Sequence, residues 1–276
     1  MTGDLDRIEA FLRWAWDSAS TRTETSAFGT ALFNERFPSY WDGNLLRVDR
    51  AVDASAADLI VEADRWFEGF AHREIAVFDE ATGARLAPAF RREGWEVDQL
   101  VYMARRREPD RRSSMPVDEV GFDEVSSLLV ETNLHGHGGM TVAAAEANAA
   151  VRRMLVDLTG IRFFVARVDG ELAGACELSV HDRVAEIDNV NTLERFRGRG
   201  VARAVVGRAV QEGLERGADL VFLIADDADW PKQLYAKLGF DPVSTYWQFT
   251  KPPAGESYRK RRDAKSLAAA LPGLES

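Results

Sequence analysis

Gly94-Trp95 and Gly239-Phe240 stand 239 minus 94, or 145, residues apart, and a gapless shift by that amount lays much of the first half of the chain on its second half. The shift places Leu45-Leu46-Arg47-Val48-Asp49-Arg50 on Val190-Asn191-Thr192-Leu193-Glu194-Arg195 and Phe90 on Tyr235. It also lays the helical pattern of residues 55–67 on the one that begins at Gly200-Val201. An internal repeat constrains the fold before any single motif does, because one architecture must satisfy both copies. In each copy the apolar spacing changes between period 2 and period 3.6. Strands are expected at 45–48, 74–78 and 97–104, with helices at 55–67 and 82–92. Such alternation reads as an α/β fold, a mixed sheet flanked by helices, built as two diverged copies of one unit.

The rest of the chain fits that plan. Leu5, Ile8, Phe11, Leu12 and Ala15 have helical spacing and open the chain with an amphipathic helix. Residues 21–43 are punctuated by Gly and Pro. Residues 105–116, rich in arginine and poor in apolar anchors, read as a linker. Beyond them we expect helices at 122–133 and 142–158, then strands at 161–168 and 171–180 joined at Asp169-Gly170, a strong hairpin signal. A strand at 184–192, a helix at 201–216, a strand at 220–224, a helix at 229–238 and a strand at 244–250 follow. The expected divisions are residues 1–110, 117–252 and a tail, 253–276, whose Arg259-Lys260-Arg261-Arg262 run reads as a solvated face.

Thirty-five Lys and Arg against 45 Asp and Glu give a formal charge of −10, which argues against sequence-blind binding to nucleic acid. The single cysteine, Cys176, excludes an internal disulfide, and four histidines without Cys/His clustering give no metal site. No basic, then apolar, leader opens the chain, and no run approaches the ~18 apolar residues of a membrane span. The expectation is a soluble, cytoplasmic protein with neither nucleic-acid nor membrane partners.

The stretch most suited to chemistry is Thr192-Leu193-Glu194-Arg195-Phe196-Arg197-Gly198-Arg199-Gly200-Val201-Ala202. Two glycines allow a tight turn and close approach of a ligand to backbone, and the following helix offers unpaired N–H groups at its positive end. With Arg197 and Arg199 beside it, the turn is an anion site, best suited to a diphosphate. A Walker loop is absent, and the dinucleotide fingerprint fails because position 203 is arginine.

Arg195-x-x-Gly198-x-Gly200 resembles the Arg/Gln-x-x-Gly-x-Gly/Ala motif of the GCN5-related N-acetyltransferases, the GNAT family, and Leu234-Tyr235-Ala236-Lys237-Leu238-Gly239-Phe240 resembles that family's second signature. The resemblance covers roughly residues 117–250, and the first half resembles only the family's C-terminal portion, so the whole is similar to a tandem GNAT protein with a degenerate first copy. It implies an acyl-CoA donor, most often acetyl-CoA, with its diphosphate on the amides of Arg197, Gly198, Arg199, Gly200, Val201 and Ala202 and with Arg195 in the motif. Asn191 and Thr192 would run beside the pantetheine arm.

The same resemblance gives Tyr235 the role of a phenol that protonates the departing thiolate, a role its chemistry suits. The first-half counterpart, Phe90, cannot donate a proton. A general base is also required, because an ammonium cannot attack. Glu186 and Asp188 share one face of their strand, with Ile187 on the other, and alternation alone does not choose between them. His135 and His137, in a glycine-rich loop, are candidates to shape the acceptor pocket. Where the family often has an asparagine before Leu-Tyr, this chain has Ala228-Asp229-Trp230-Pro231, and Asp226, Asp227 and Asp229 are placed to cap the helix.

In the first half the shift replaces Gly198 and Gly200 by Asp53 and Ser55, so a carboxylate would repel phosphate and that half would serve as a structural lid or an acceptor-pocket wall. The expected activity is acetyl transfer from acetyl-CoA to a primary amine of a small molecule or peptide. A CoA-sensing protein without turnover and a transferase of longer acyl groups are the alternatives. The sequence does not specify an oligomeric state.

Overall fold

The chain's apolar alternation is satisfied by one mixed sheet of eleven strands, in the order β1-β2-β3-β4-β11-β5-β10-β9-β8-β7-β6. The computed structural model describes residues 3–136, 142–228 and 230–253. The elements are α1 (Asp4–Ala19), β1 (Arg22–Thr25), β2 (Thr30–Phe33), β3 (Leu45–Val48), α2 (Ala56–Trp66), β4 (Arg73–Val77), α3 (Glu80–Arg92) and β5 (Glu96–Arg105). There follow β6 (Val117–Val120), α4 (Phe122–Gly136), α5 (Val142–Thr159), β7 (Arg162–Val168), β8 (Glu171–His181), β9 (Val184–Thr192), α6 (Val201–Glu215), β10 (Leu220–Asp226), α7 (Pro231–Lys237) and β11 (Phe240–Lys251). The Gly- and Pro-punctuated stretch thus contains the β1–β2 hairpin, whose four-residue strands are too short to show periodicity.

The two halves exchange their last strands. β5 lies between β10 and β11, and β11 lies between β4 and β5, so neither half closes its sheet without the other. The antiparallel β5–β11 register pairs Thr245 with Val101 and Tyr246 with Leu100. A shift of 145 residues turns the first of these pairs into the second, so the repeat read from Gly94 and Gly239 is a symmetry of the central ladder. Ser55 and Gly200, related by the same shift, are the N-caps of α2 and α6.

Strand alternation sends the central side chains to opposite faces. Val101 and Met103 join the core under α4, α6 and α7, whereas Tyr102 and Ala104 join Ile8, Phe11 and Leu12 of α1, which crosses the other face with α5 beside it. The first half packs α2 and α3 on its own core, to which β11 adds Trp247 and Phe249. Gly83 of α3 lies so close to Trp247 that an added Cβ would stand 2.1 Å from its Cδ1.

Residues 105–116 do not hang free as a linker. Asp110 N–H donates to Lys237 O at 2.8 Å, Arg107 Nη2 pairs with Asp241 Oδ1 at 2.6 Å, and buried Arg203 of α6 pairs with Asp110. Charge and backbone hydrogen bonds fix a segment that lacks the apolar surface to fix itself. Among the described residues no helix is long and apolar enough to cross a membrane. The tail's basic run and His137 lie outside the described residues.

Candidate active site

The glycine turn sits where two parallel strands part. β9 and β10 pair from Val184–Leu220 to Ile187–Leu223, yet β9 runs on to Thr192 and β10 to Asp226. A bulge drives the separation: β9 carries one extra residue opposite β8 between Asp188 and Asn191, with Asn189 at φ 48°. In the first half the equivalent pair stays zipped through Val48–Val77, and Phe78 N–H adds a bond of 2.9 Å to Val48 O. Only the second half therefore has a cleft between these strands.

Beyond Thr192 a 3-10 turn, Glu194–Phe196, leads into Gly198 and Gly200, at φ 77° and 84°. A Cβ on either glycine would meet no heavy atom within 4 Å, so glycine serves the left-handed backbone there, and space is left above it. Helix α6 starts without a side-chain cap, and Gly200 O takes its first hydrogen bond from Ala204 N–H at 3.1 Å, leaving the preceding N–H groups of the first turn as orphan donors. Val201 is buried and Ala202 half-buried. Helix α2 is the opposite case: Asp58 Oδ2 accepts Ser55 N–H at 2.8 Å, and Ser55 Oγ accepts Asp58 N–H at 3.2 Å. That helix end already holds a carboxylate, Asp58, whereas Asp53 is exposed beside it.

The arginines of the turn differ in their attachments. Arg195 Nη1 is tied to Glu131 Oε1 at 2.5 Å and Nη2 lies 3.5 Å from Glu171 Oε2. Arg197 and Arg199 have looser partners, Glu194 at 3.9 Å and Asp169 at 3.6 Å. Tyr235 of α7 is buried, with its ring centroid 6.5 Å from that of Phe240. Helix α7 begins at Pro231 with Trp230 as N-cap and no side-chain cap from it; Asp229, one of the expected caps, lies outside the described residues. Asp226 Oδ1 instead accepts Ala228 N–H at 2.8 Å, and Asp227 pairs with Lys232 at 2.6 Å.

On the α1/α5 face a cavity of about 240 Å3 spans the seam between the halves. Glu186 and Asp188 both line it, while Ile187 is buried in the opposite core. Across the β8–β9 ladder Ser179 faces Glu186 and Glu177 faces Asp188, so two carboxylates oppose each other directly. Asp42 and Glu74 line the cavity from the first half, with Tyr40, Tyr246 and Gln248; Arg152 of α5 is the only cation among the described lining residues. Burial and the neighbouring Asp188 push the Glu186 carboxyl well above the usual carboxylate range, against the pull of Arg152. Burial and the Asp42 charge do the same to Glu74, and burial raises Asp42 and Glu177.

Sequence reasoning missed Asp42, Glu74, Arg152 and Glu177. A signal for Glu177 existed: Asp182 and Arg183, both at positive φ, form a two-residue hairpin turn that fixes its register opposite Asp188. His135 falls in the last turn of α4, and its side chain, like His137, lies outside what the structure describes.

Residues 122–240 match the Acetyltransferase (GNAT) family. They are a GNAT acetyltransferase domain. A Chlorobaculum tepidum protein named an uncharacterized N-acetyltransferase is 32% identical over 73 residues, which are 26% of this chain and 47% of that protein. The match thus spans about half the length of that curated relative. The GCN5-related N-acetyltransferase from Kribbella flavida superposes with a TM-score of 0.62 at 19% identity, over 92% of this chain and 98% of its own. A functionally unknown conserved protein from Staphylococcus epidermidis superposes at 0.63 with 16% identity, over 84% of this chain and 94% of its own. The fold likeness therefore extends beyond the GNAT domain into the first half.

Proposed function

We propose that this protein transfers an acetyl group from acetyl-CoA to a primary amine, with one CoA site in the second half. The observation that carries the reading is the pairing of an uncapped, glycine-flanked helix end with a strand cleft in that half alone. Orphan N–H groups of α6 and the looser Arg197 and Arg199 suit a diphosphate, and the edge of β9 at Asn191 and Thr192 suits an extended amide-bearing arm. Thr192 Oγ1 is buried without a hydrogen-bond partner, consistent with a missing ligand group there. When bound, acetyl-CoA supplies the activated acyl group and the thiolate that leaves.

The chain's own residues provide the proton transfers. Glu186, made more basic by burial and by Asp188, takes a proton from the incoming ammonium, directly or through water. Tyr235, held by the core under α7, donates its phenolic proton to the departing sulfur. The first half contributes Asp42, Glu74 and α1 to the cavity wall and binds no second CoA, because Asp58 fills its helix end and β3 stays zipped to β4. Arg195 braces the turn against Glu131 on α4.

Calorimetric titration of acetyl-CoA tests the reading. About one equivalent should bind the wild type and none should bind Gly198→Asp, which copies the first half's residue into the turn. A wild type that binds no acetyl-CoA would refute the mechanism.

A further inference from the structure

We infer that the acceptor is a compact aliphatic diamine or polyamine, one amine reacting at Glu186 while a second ammonium is held by Asp42 and Glu74 from the first half. This inference rests on the acetyl-transfer reading above and names its substrate.

The cavity's chemistry is lopsided. Five carboxylates, Asp42, Glu74, Glu177, Glu186 and Asp188, line it against the single guanidinium of Arg152. Glu74 and Glu177 are buried and Glu186 half-buried, while Asp42 and Asp188 keep an exposed side. Buried carboxylates are costly unless a cation or hydrogen bonds compensate them, and at Glu177 the compensation is incomplete. Glu177 is 2% exposed and lines the cavity, yet its Oε1 accepts no hydrogen bond; Arg152 Nε stands 3.4 Å away without hydrogen-bond geometry. At the first-half carboxyls, Gln248 Nε2 of β11 donates to Glu74 Oε1 at 2.7 Å and to Asp42 Oδ1 at 3.3 Å, a single amide serving two carboxyl groups. Desolvation pushes both carboxyls upward, with the Asp42 charge adding to the rise of Glu74 and the Asp188 charge to that of Asp42, and Arg152 pulls only in part against the rise at Asp42.

The two carboxylate groups stand on opposite sides of the seam, one on a 3-10 turn, Trp41–Gly43, and β4, the other on β8 and β9. Between them lie Leu100, Ile224 and the Tyr246 ring from the exchanged strands and β10, with Leu12, Trp16 and Leu155 above. Acid at both ends and apolar surface between is complementary to ammonium groups separated by methylenes. A cavity of about 240 Å3 lies below the usual ligand-pocket range of about 300–1,000 Å3, which favours a small acceptor over a folded peptide. Among the described residues no three His, Cys, Asp or Glu are grouped to hold a metal ion.

The experiment compares acetyl-CoA consumption with 1,4-diaminobutane, spermidine, butylamine and a lysine-containing peptide, in wild type and Glu74→Gln. The expected result is a kcat/KM for the diamine or spermidine at least tenfold above butylamine and the peptide, with that preference falling to within threefold in Glu74→Gln. Calorimetry of 1,4-diaminobutane into CoA-loaded protein, at low and high salt, reads the same site without turnover, and affinity should fall with salt and with Glu74→Gln. Turnover that is equal for diamine and butylamine, or highest for the peptide, overturns the inference and leaves acetyl transfer standing. Absence of acetyl-CoA binding overturns the acetyl-transfer reading itself.

Discussion

Arg152 of α5 brings its Nε within 3.4 Å of Glu177 Oε1, placing one guanidinium at the edge of a cavity that otherwise presents carboxylates. The contact ties the helix that covers the cavity to β8, and its direct neighbour across the ladder is Asp188. The electrostatics of the proposed acceptor site follow from this one pair and from what it leaves uncompensated.

The pH profile of Glu186 has a definite sign. A general base acts only when ionised, and burial with Asp188 raises this carboxyl against Arg152, with Glu177 on β8 and the phenols of Tyr102 and Tyr246 around it. The value of kcat/KM should therefore climb with pH along a limb displaced above the ordinary carboxylate range. Glu186→Gln should lower it by about 10²-fold or more and remove that limb. A wild-type profile without the limb, or a variant that keeps it, would assign the base elsewhere.

Tyr235→Phe keeps the ring that packs in the core and removes the phenolic hydroxyl that would supply the proton. Single-turnover kinetics should show kcat lowered by about 10²-fold, with acetyl-CoA affinity by calorimetry essentially retained. Equal kcat in the two proteins would show that the thiolate leaves without this proton.

His72 makes the protein sensitive to acid. Its ring is buried, Nε2 lies 3.2 Å from Asn44 O, and burial pushes its pKa down to about 4 from 6.5. The unfolded chain takes up a proton below 6.5 and the folded one only near 4, so the stability this neutral ring contributes is complete above 6.5 and lost as pH falls through that window. The loss is roughly 3 kcal/mol. Urea unfolding of wild type and His72→Asn at pH 7 and pH 4 should show the wild type's advantage shrinking by about that amount. A constant difference would mean that the ring protonates equally in both states.

The two halves are locked by packing as well as by hydrogen bonds. Gly83→Ala should destabilise by about 1–3 kcal/mol, because its Cβ would stand 2.1 Å from Trp247 Cδ1 of the exchanged strand. Gly207→Ala, where a Cβ on α6 meets nothing within 4 Å, should stabilise by about 0.5–1 kcal/mol through helix propensity alone. Denaturant midpoints of the two variants should move in opposite directions. A neutral Gly83→Ala would mean that α3 can lift from β11.

Much of the fold and the glycine turn was legible because each depends on residues near one another in the chain. Period 3.6 or 2 marks a helix or strand locally, Gly198 and Gly200 mark left-handed backbone locally, and the paired glycines at 94 and 239 carry the repeat over a fixed spacing. The exchange of β5 and β11 was not legible, since a strand that pairs within its own half and one that pairs with the other half carry the same alternation. Nor was the shape of the segment from Arg105 to Pro116, whose order comes from distant partners on α6, α7 and β11. The acidic cavity is the clearest case. Asp42, Glu74, Arg152, Glu177 and Glu186 are scattered over the chain, and each alone reads as an ordinary charged residue. Only the seam between the halves, closed by strand exchange and covered by α1 and α5, brings them together, with Glu74 and Glu177 buried, and that company is what changes their chemistry.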